Sequence, residues 1–348
     1  MTRFEVDTGD MHTPRARGNA GWPAPAEKLL RMVAALALAV AIPCVGFSQS
    51  ESGALEAGNL SRQVRDEPPI LGVTWVRGYQ PRSTVQSSQT PAEEQVQPEI
   101  LPKPSPNLNY HGGPILHTVE TEIIFWGTSW PNYKGDKISG LDSFYAGFSN
   151  SNYAATSDEY TGVNGQIGPE IDYLGHIIDV SPASADGSPW SVLSKVCSAI
   201  TRPDPDGNGY YAVYSDRRRG RARFCSYHSS GSCGGTRVQF AFFFKLDGDA
   251  ACNPRDLSRL HSEGLAAVAN VSGHELSEAR TDPTTPGAWY DSEGEENADK
   301  CAWTFNVSLV TFSDGNRWKI QGNWSNAAYN AGTGYRNRLS QKGCLNGR

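Results

Sequence analysis

Residues 262–280 read SEGLAAVANVSGHELSEAR. Leu265, Val268, Ser272, Leu276 and Ala279 recur at spacings of three and four, the period of one helix face. Asp282-Pro283 closes the run, because the residue before a proline disfavours the α region. This is the longest helical signal in the chain. Ahead of it, 121–126 (TEIIFW), 171–180, 210–215 (YYAVYS) and 238–244 (VQFAFFF) are rich in β-branched and aromatic residues, which predicts strands. The phenylalanine run is apolar on both faces, as in a central strand covered from both sides. Residues 141–148 and 190–199 read as helices. Strands and helices interleave, so the expected class is α+β (mixed α/β), a central mixed sheet flanked by helices.

The same helix carries His274-Glu275-Leu276-Ser277-Glu278. Residues at i and i+4 share a helix face, so His274 and Glu278 are placed to point at a common ion. Glu275 sits about 100° round the helix, where its carboxylate can face a water on that ion. The zinc-protease form of the pattern is H-E-x-x-H. Here the second His is replaced by Glu, an oxygen ligand that zinc also accepts. The plain alternative is a helix with a solvated acidic face. Glu296 and Asp299, three apart, fit one helical turn, one as ligand and one as an acceptor behind it.

Several segments then align with one pattern. They are Tyr110-His111-Gly112-Gly113-Pro114, 210–215 running toward Phe224-Cys225, Gly273-His274-Glu275-Leu276 with Glu278-Ala279, Thr281-Asp282-Pro283, Ala288-Trp289-Tyr290-Asp291, and Glu296-Asn297-Ala298-Asp299-Lys300-Cys301. On these residues the chain resembles the exordium-like, phosphate-induced secreted proteins of plants and their bacterial and algal relatives, over roughly residues 109–348. The resemblance implies a zincin-like fold with a long metal-site helix. It implies His274, Glu278 and Glu296 as ligands of one Zn2+, Glu275 as catalytic base and Asp299 behind the ligands. His111 and His228 become candidates for a substrate cleft. Where the family has Cys-Gly-x-His, this chain has Cys225-Ser226-Tyr227-His228, with Cys233 later.

Toward the N-terminus the composition changes. Pro81 to Pro106 holds six prolines among Ser, Thr, Gln and Glu. Such a stretch cannot offset its ordering entropy, so 49–108 reads as a disordered Pro/Ser/Gln-rich linker. Before it, Lys28 and Arg31 flank the start of the apolar run 32–42, and Gly46-Phe47-Ser48 offers a small-x-small cleavage site. Those are the parts of a secretory signal. The expected organisation is therefore an N-terminal extension and signal peptide at 1–48, the linker at 49–108, and one globular domain at 109–348.

Beyond residue 48 there are six cysteines: Cys197, Cys225, Cys233, Cys252, Cys301 and Cys344. An even number in an exported chain reads as disulfides, and six allow fifteen pairings. Cys301–Cys344 is the preferred bridge, because both lie in the last segment and no other Cys is near it.

Charge and hydropathy set the outer bounds. The 348 residues carry 31 Lys+Arg against 37 Asp+Glu, which lacks the basic footprint of a nucleic-acid binder. No apolar run reaches the roughly 20 residues that a membrane-spanning helix needs. Asp204-Pro205-Asp206-Gly207-Asn208-Gly209 matches half a calcium loop, but position 12 is Ser215, which favours a plain turn. Five arginines lie within 217–223, a solvated hairpin edge or a contact for an anionic surface. The resulting expectation is a secreted, extracellular (or periplasmic) monomer. It would be a zinc-dependent, metallopeptidase-like hydrolase acting on a peptide or cell-wall polymer, with no nucleic-acid partner and no stable membrane insertion. The competing class is a non-catalytic wall or matrix protein that binds carbohydrate, for which nine Trp would suit sugar stacking.

Overall fold

The structure is a computed structural model and describes residues 67–79 and 105–348. The apolar runs assemble into one six-stranded sheet. Its strands are β1 (Ile70–Trp75), β2 (Val119–Trp126), β3 (Ile171–Asp179), β4 (Gly209–Arg218), β5 (Phe224–Cys233) and β6 (Thr236–Lys245), in the order β1-β5-β6-β4-β2-β3. β3, β2, β4 and β6 run parallel. β5 returns antiparallel to β6, and β1 closes the edge antiparallel to β5. The β5–β6 hairpin turns on Gly234-Gly235, with φ of 60° and 92°, the positive values that two-residue hairpins require. The sheet is mixed and the class is α+β, as expected.

Three helices cover the sheet: α1 (Lys137–Phe148), α2 (Pro189–Ala199) and α3 (Glu263–Thr281). Successive residues of a strand point to opposite faces. Ser226 of β5 reaches α3 through Glu275, while Tyr227 donates to Gly187 O just ahead of α2. α3 packs with α1 on one face, therefore, and α2 on the other. The phenylalanine strand β6 lies between them, with Phe240, Phe242 and Phe243 wholly buried.

α3 starts at Ser262, whose Oγ accepts from Leu265 N at 3.1 Å, and ends at Asp282 before the proline. Its burial differs from the single stripe expected. Every residue from Gly264 to Thr281 is buried, so the polar residues between the apolar ones face a protein interior. The solvated acidic face is thereby excluded.

One boundary needs correcting. Ile70–Trp75 falls in the segment read as disordered linker, yet it forms β1 and pairs with β5. A six-residue strand was hidden by averaging composition over a long proline-rich stretch. All described residues belong to one compact unit, so the globular part begins well before residue 109. The signal at 1–48 and most of the linker lie outside the described residues.

Three disulfides are formed. Cys301–Cys344 is the bridge preferred from the sequence; Cys197–Cys233 ties α2 to the end of β5, and Cys225–Cys252 ties β5 to the loop after β6. The first joins the turn Asp299–Cys301 to the strand Lys342–Leu345 across 43 residues of sequence. Replacing Cys301 and Cys344 together by Ala should lower stability by about 2–5 kcal/mol, read as a lower urea midpoint. An unchanged midpoint would mean that strand pairing alone fastens this segment.

Candidate metal centre

Polar side chains from four places converge beside α3. The helix supplies His274, Glu275 and Glu278. β5 supplies His228, β1 supplies Thr74, and the loop leading into the turn Asp299–Cys301 brings Glu296, with Asp299 at the start of that turn. His228, His274, Glu275, Glu278 and Glu296 are each at most 2% exposed.

Glu278 lies between the two imidazoles. Its Oε1 is 2.9 Å from His274 Nε2, and its Oε2 is 3.7 Å from His228 Nε2. His274 Nε2 also lies 3.4 Å from Asp299 Oδ1. Neither contact of His274 Nε2 is a hydrogen bond, and His228 Nε2 at 3.7 Å is too far from Oε2 to make one, so His274 Nε2 and Glu278 Oε2 have no hydrogen-bond partner. Asp299 N donates to Glu278 Oε1 at 3.0 Å, which fixes that carboxylate. Two sets of donors lie within 4.8 Å of one another: His228, Glu275 and Glu278, and His274, Glu278 and Asp299. These buried groups can hold a metal ion.

Glu275 is held by one oxygen only. Thr74 N at 3.2 Å, Thr74 Oγ1 at 2.7 Å and Ser226 Oγ at 2.6 Å all donate to Oε1, while Oε2 has no partner. Gln321 orients His274: its Nε2 donates to His274 Nδ1 at 2.8 Å and to Ala298 O at 2.9 Å. Its Oε1 accepts from Trp303 N at 3.1 Å.

The electrostatics follow from burial. Burial raises Glu278 well above the usual carboxylate range, and Asp299 adds to that against the opposing pull of His274. Burial also raises Glu296 far above that range, with Asp282 next in weight. Burial alone would lower His274, but the Glu278 charge outweighs it and holds the imidazole well above its ordinary value. Among the described residues, no lysine or arginine is paired with Glu275, Glu278 or Glu296.

The sequence-derived residues are placed unequally. His274, Glu275 and Glu278 come together. Glu296 touches His228 at 3.1 Å but is in neither three-donor set, whereas Asp299, read as lying behind the ligands, is in one. His228, read only as a cleft residue, is within the cluster. His111 is not: it is exposed, stacked on Tyr290 with ring centroids 3.6 Å apart. Thr74, Ser226 and Gln321 had no sequence signal, since a hydroxyl or amide that orients a carboxylate has no spacing rule. No protein-family model, no curated protein and no solved structure matches the chain.

Proposed function

We propose that the chain is a secreted metallohydrolase of the zincin-like, exordium-like kind, with a zinc centre built on α3. One observation carries the reading: buried imidazoles and carboxylates meet with His274 Nε2, Glu278 Oε2 and Glu275 Oε2 unpartnered. Taking a carboxylate out of water costs several kcal/mol unless it is paired. With no lysine or arginine paired to them, the counter-charge is a proton, on a carboxylate or on the His274 imidazole, or a metal cation. Imidazole nitrogen and carboxylate oxygen are zinc's usual donors. The three disulfides fit an oxidising, exported setting, and the segments that resemble the exordium-like family include the whole ligand loop.

His274, Glu278 and Asp299 or Glu296 would hold the ion, with His228 alongside. The fit makes one demand. Gln321 now donates to Nδ1, which leaves the ring proton on Nε2. Holding a metal at Nε2 requires the proton on Nδ1 instead, and the amide can turn its oxygen to accept it only by giving up its bonds to Ala298 O and Trp303 N.

When bound, zinc polarises a carbonyl and makes water easier to deprotonate. Glu275 would act as general base through its free Oε2, with Ser226 Oγ holding Oε1 and fixing the carboxylate plane. A closed, fully buried centre also suits a structural metal staple, the non-catalytic alternative.

The test is elemental analysis of purified protein. About one zinc per chain after mild reloading is expected for a single site of this kind, and no metal under any loading condition would sink the reading. Because protons compete for the same raised carboxylates, affinity in a chelator competition should fall as pH falls, starting above the ordinary carboxylate range.

A further inference from the structure

We infer that the β5 edge beside the centre is a binding groove for an extended polypeptide, filled in this structure by the chain's own residues 70–75. The inference rests on the hydrolase reading only in naming that polypeptide as a substrate.

β1 is an edge strand with one neighbour in the sheet, β5. Gly72 lies opposite His228 and Thr74 opposite Ser226, so the ladder runs directly past the centre. Adding a strand to an exposed sheet edge is a general way to bind a peptide through its main chain.

The side chains of β1 are not those of a core strand. Its only wholly buried residues are Gly72 and Thr74, while Ile70 is 47% exposed. Val73, half-buried, packs against the main core, but the fully buried face of β1, Gly72 and Thr74, is turned to the polar cluster. At Gly72 the fit excludes any side chain: a Cβ there would lie 2.3 Å from Glu278 Oε2 and 2.4 Å from His228 Nε2. The groove thus presents main chain, not side chain, to the donor atoms. One residue pair further on, Thr74 N and Oγ1 occupy Glu275.

On the Ile70 side one bond outside the ladder holds the segment, Ser229 Oγ to Pro69 O at 2.6 Å, while three anchors lie past the centre. Trp303 donates to Trp75 O at 2.9 Å, Val76 N to Arg223 O at 3.0 Å, and Arg77 N to Ala251 O at 2.9 Å. β1 is therefore built to peel from its Ile70 end while remaining tethered at 75–77. While seated it shuts the centre, and an extended peptide with glycine over His228 is the ligand that replaces it.

The experiment uses the full chain carrying Gly72→Val, which drives a side chain into Glu278 and His228 and unseats β1. A fluorescent peptide of residues 67–79 should bind this variant saturably and one-to-one. Wild type should bind it more than about tenfold more weakly, since only its open fraction is competent. The same peptide with valine in place of glycine should bind neither. As a second measurement that needs no variant, β1 amides in wild type should exchange hydrogen by local opening, faster than those of β4 and β6. A folded variant that binds no peptide overturns the inference. So does β1 exchange that matches the core strands, including where the variant does not fold. Neither readout involves zinc or turnover, so peptide binding without metal would retain the groove and reject the hydrolase. Metal without peptide binding would do the reverse.

Discussion

Glu278→Gln should reduce bound zinc to background while leaving the protein folded. Glu278 is the one residue common to both donor sets, with Oε1 toward His274 and Oε2 toward His228. The amide keeps the size of the side chain but removes its charge and makes one of the two donor atoms an N–H group. His274→Ala should empty the centre equally. Glu278 and His274 are paired at 2.9 Å, so each substitution costs some stability by leaving the other group buried without its partner. Zinc content and circular dichroism on the same preparations separate loss of metal from loss of structure. The same assay ranks the third ligand: by geometry, Asp299→Asn should lower affinity more than Glu296→Gln, since Asp299 is in a donor set and Glu296 reaches the cluster through His228. A Glu278→Gln protein that keeps its zinc would place the ion elsewhere.

The parts of this fold that could be read from residue order are those governed by local rules. α3 announces itself by its period and by the Asp282-Pro283 stop. β2, β4 and β6 do so by dense β-branched and aromatic runs that the sheet then buries on both faces. Cys301–Cys344 was accessible because both residues sit in one late segment. The other two bridges depend on where β5 lies in the sheet.

β5 itself was missed for a reason tied to function. Its sequence FCSYHSSGSC alternates, but the face toward α3 is Ser226 and His228, which line the cluster rather than an apolar core. β1 was lost in the averaging over the proline-rich stretch, and its Gly72 and Thr74 likewise face the donors. A strand that serves a buried polar site loses the hydrophobic alternation by which strands are recognised. The H-E-x-x-E spacing marked the helix half of the site, and only the sheet order could supply the other half.

Glu275→Gln is the substitution that separates an enzyme from a metal staple. Thr74 N, Thr74 Oγ1 and Ser226 Oγ all donate to Oε1, and the glutamine carbonyl accepts from the same three groups. The oxygen that becomes NH2 is Oε2, which has no partner to lose. Folding should therefore be unchanged or slightly favoured, and zinc should be retained if the ion sits between His274, Glu278 and Asp299. What disappears is the lone pair that takes a proton from water. Hydrolysis of a peptide library, measured in protein opened by Gly72→Val, where Thr74 has left and Ser226 still holds Oε1, should fall by about 100-fold or more, the usual loss on removing a general base. Loss of zinc along with activity would instead make Glu275 a ligand, which the His228–Glu275–Glu278 set allows geometrically. An opened protein that holds zinc and hydrolyses nothing, with or without Glu275, would leave the metal a purely structural role. In that case the three hydrogen bonds on Oε1 are sufficient reason for the carboxylate, because they fasten β1 and β5 to the same turn of α3.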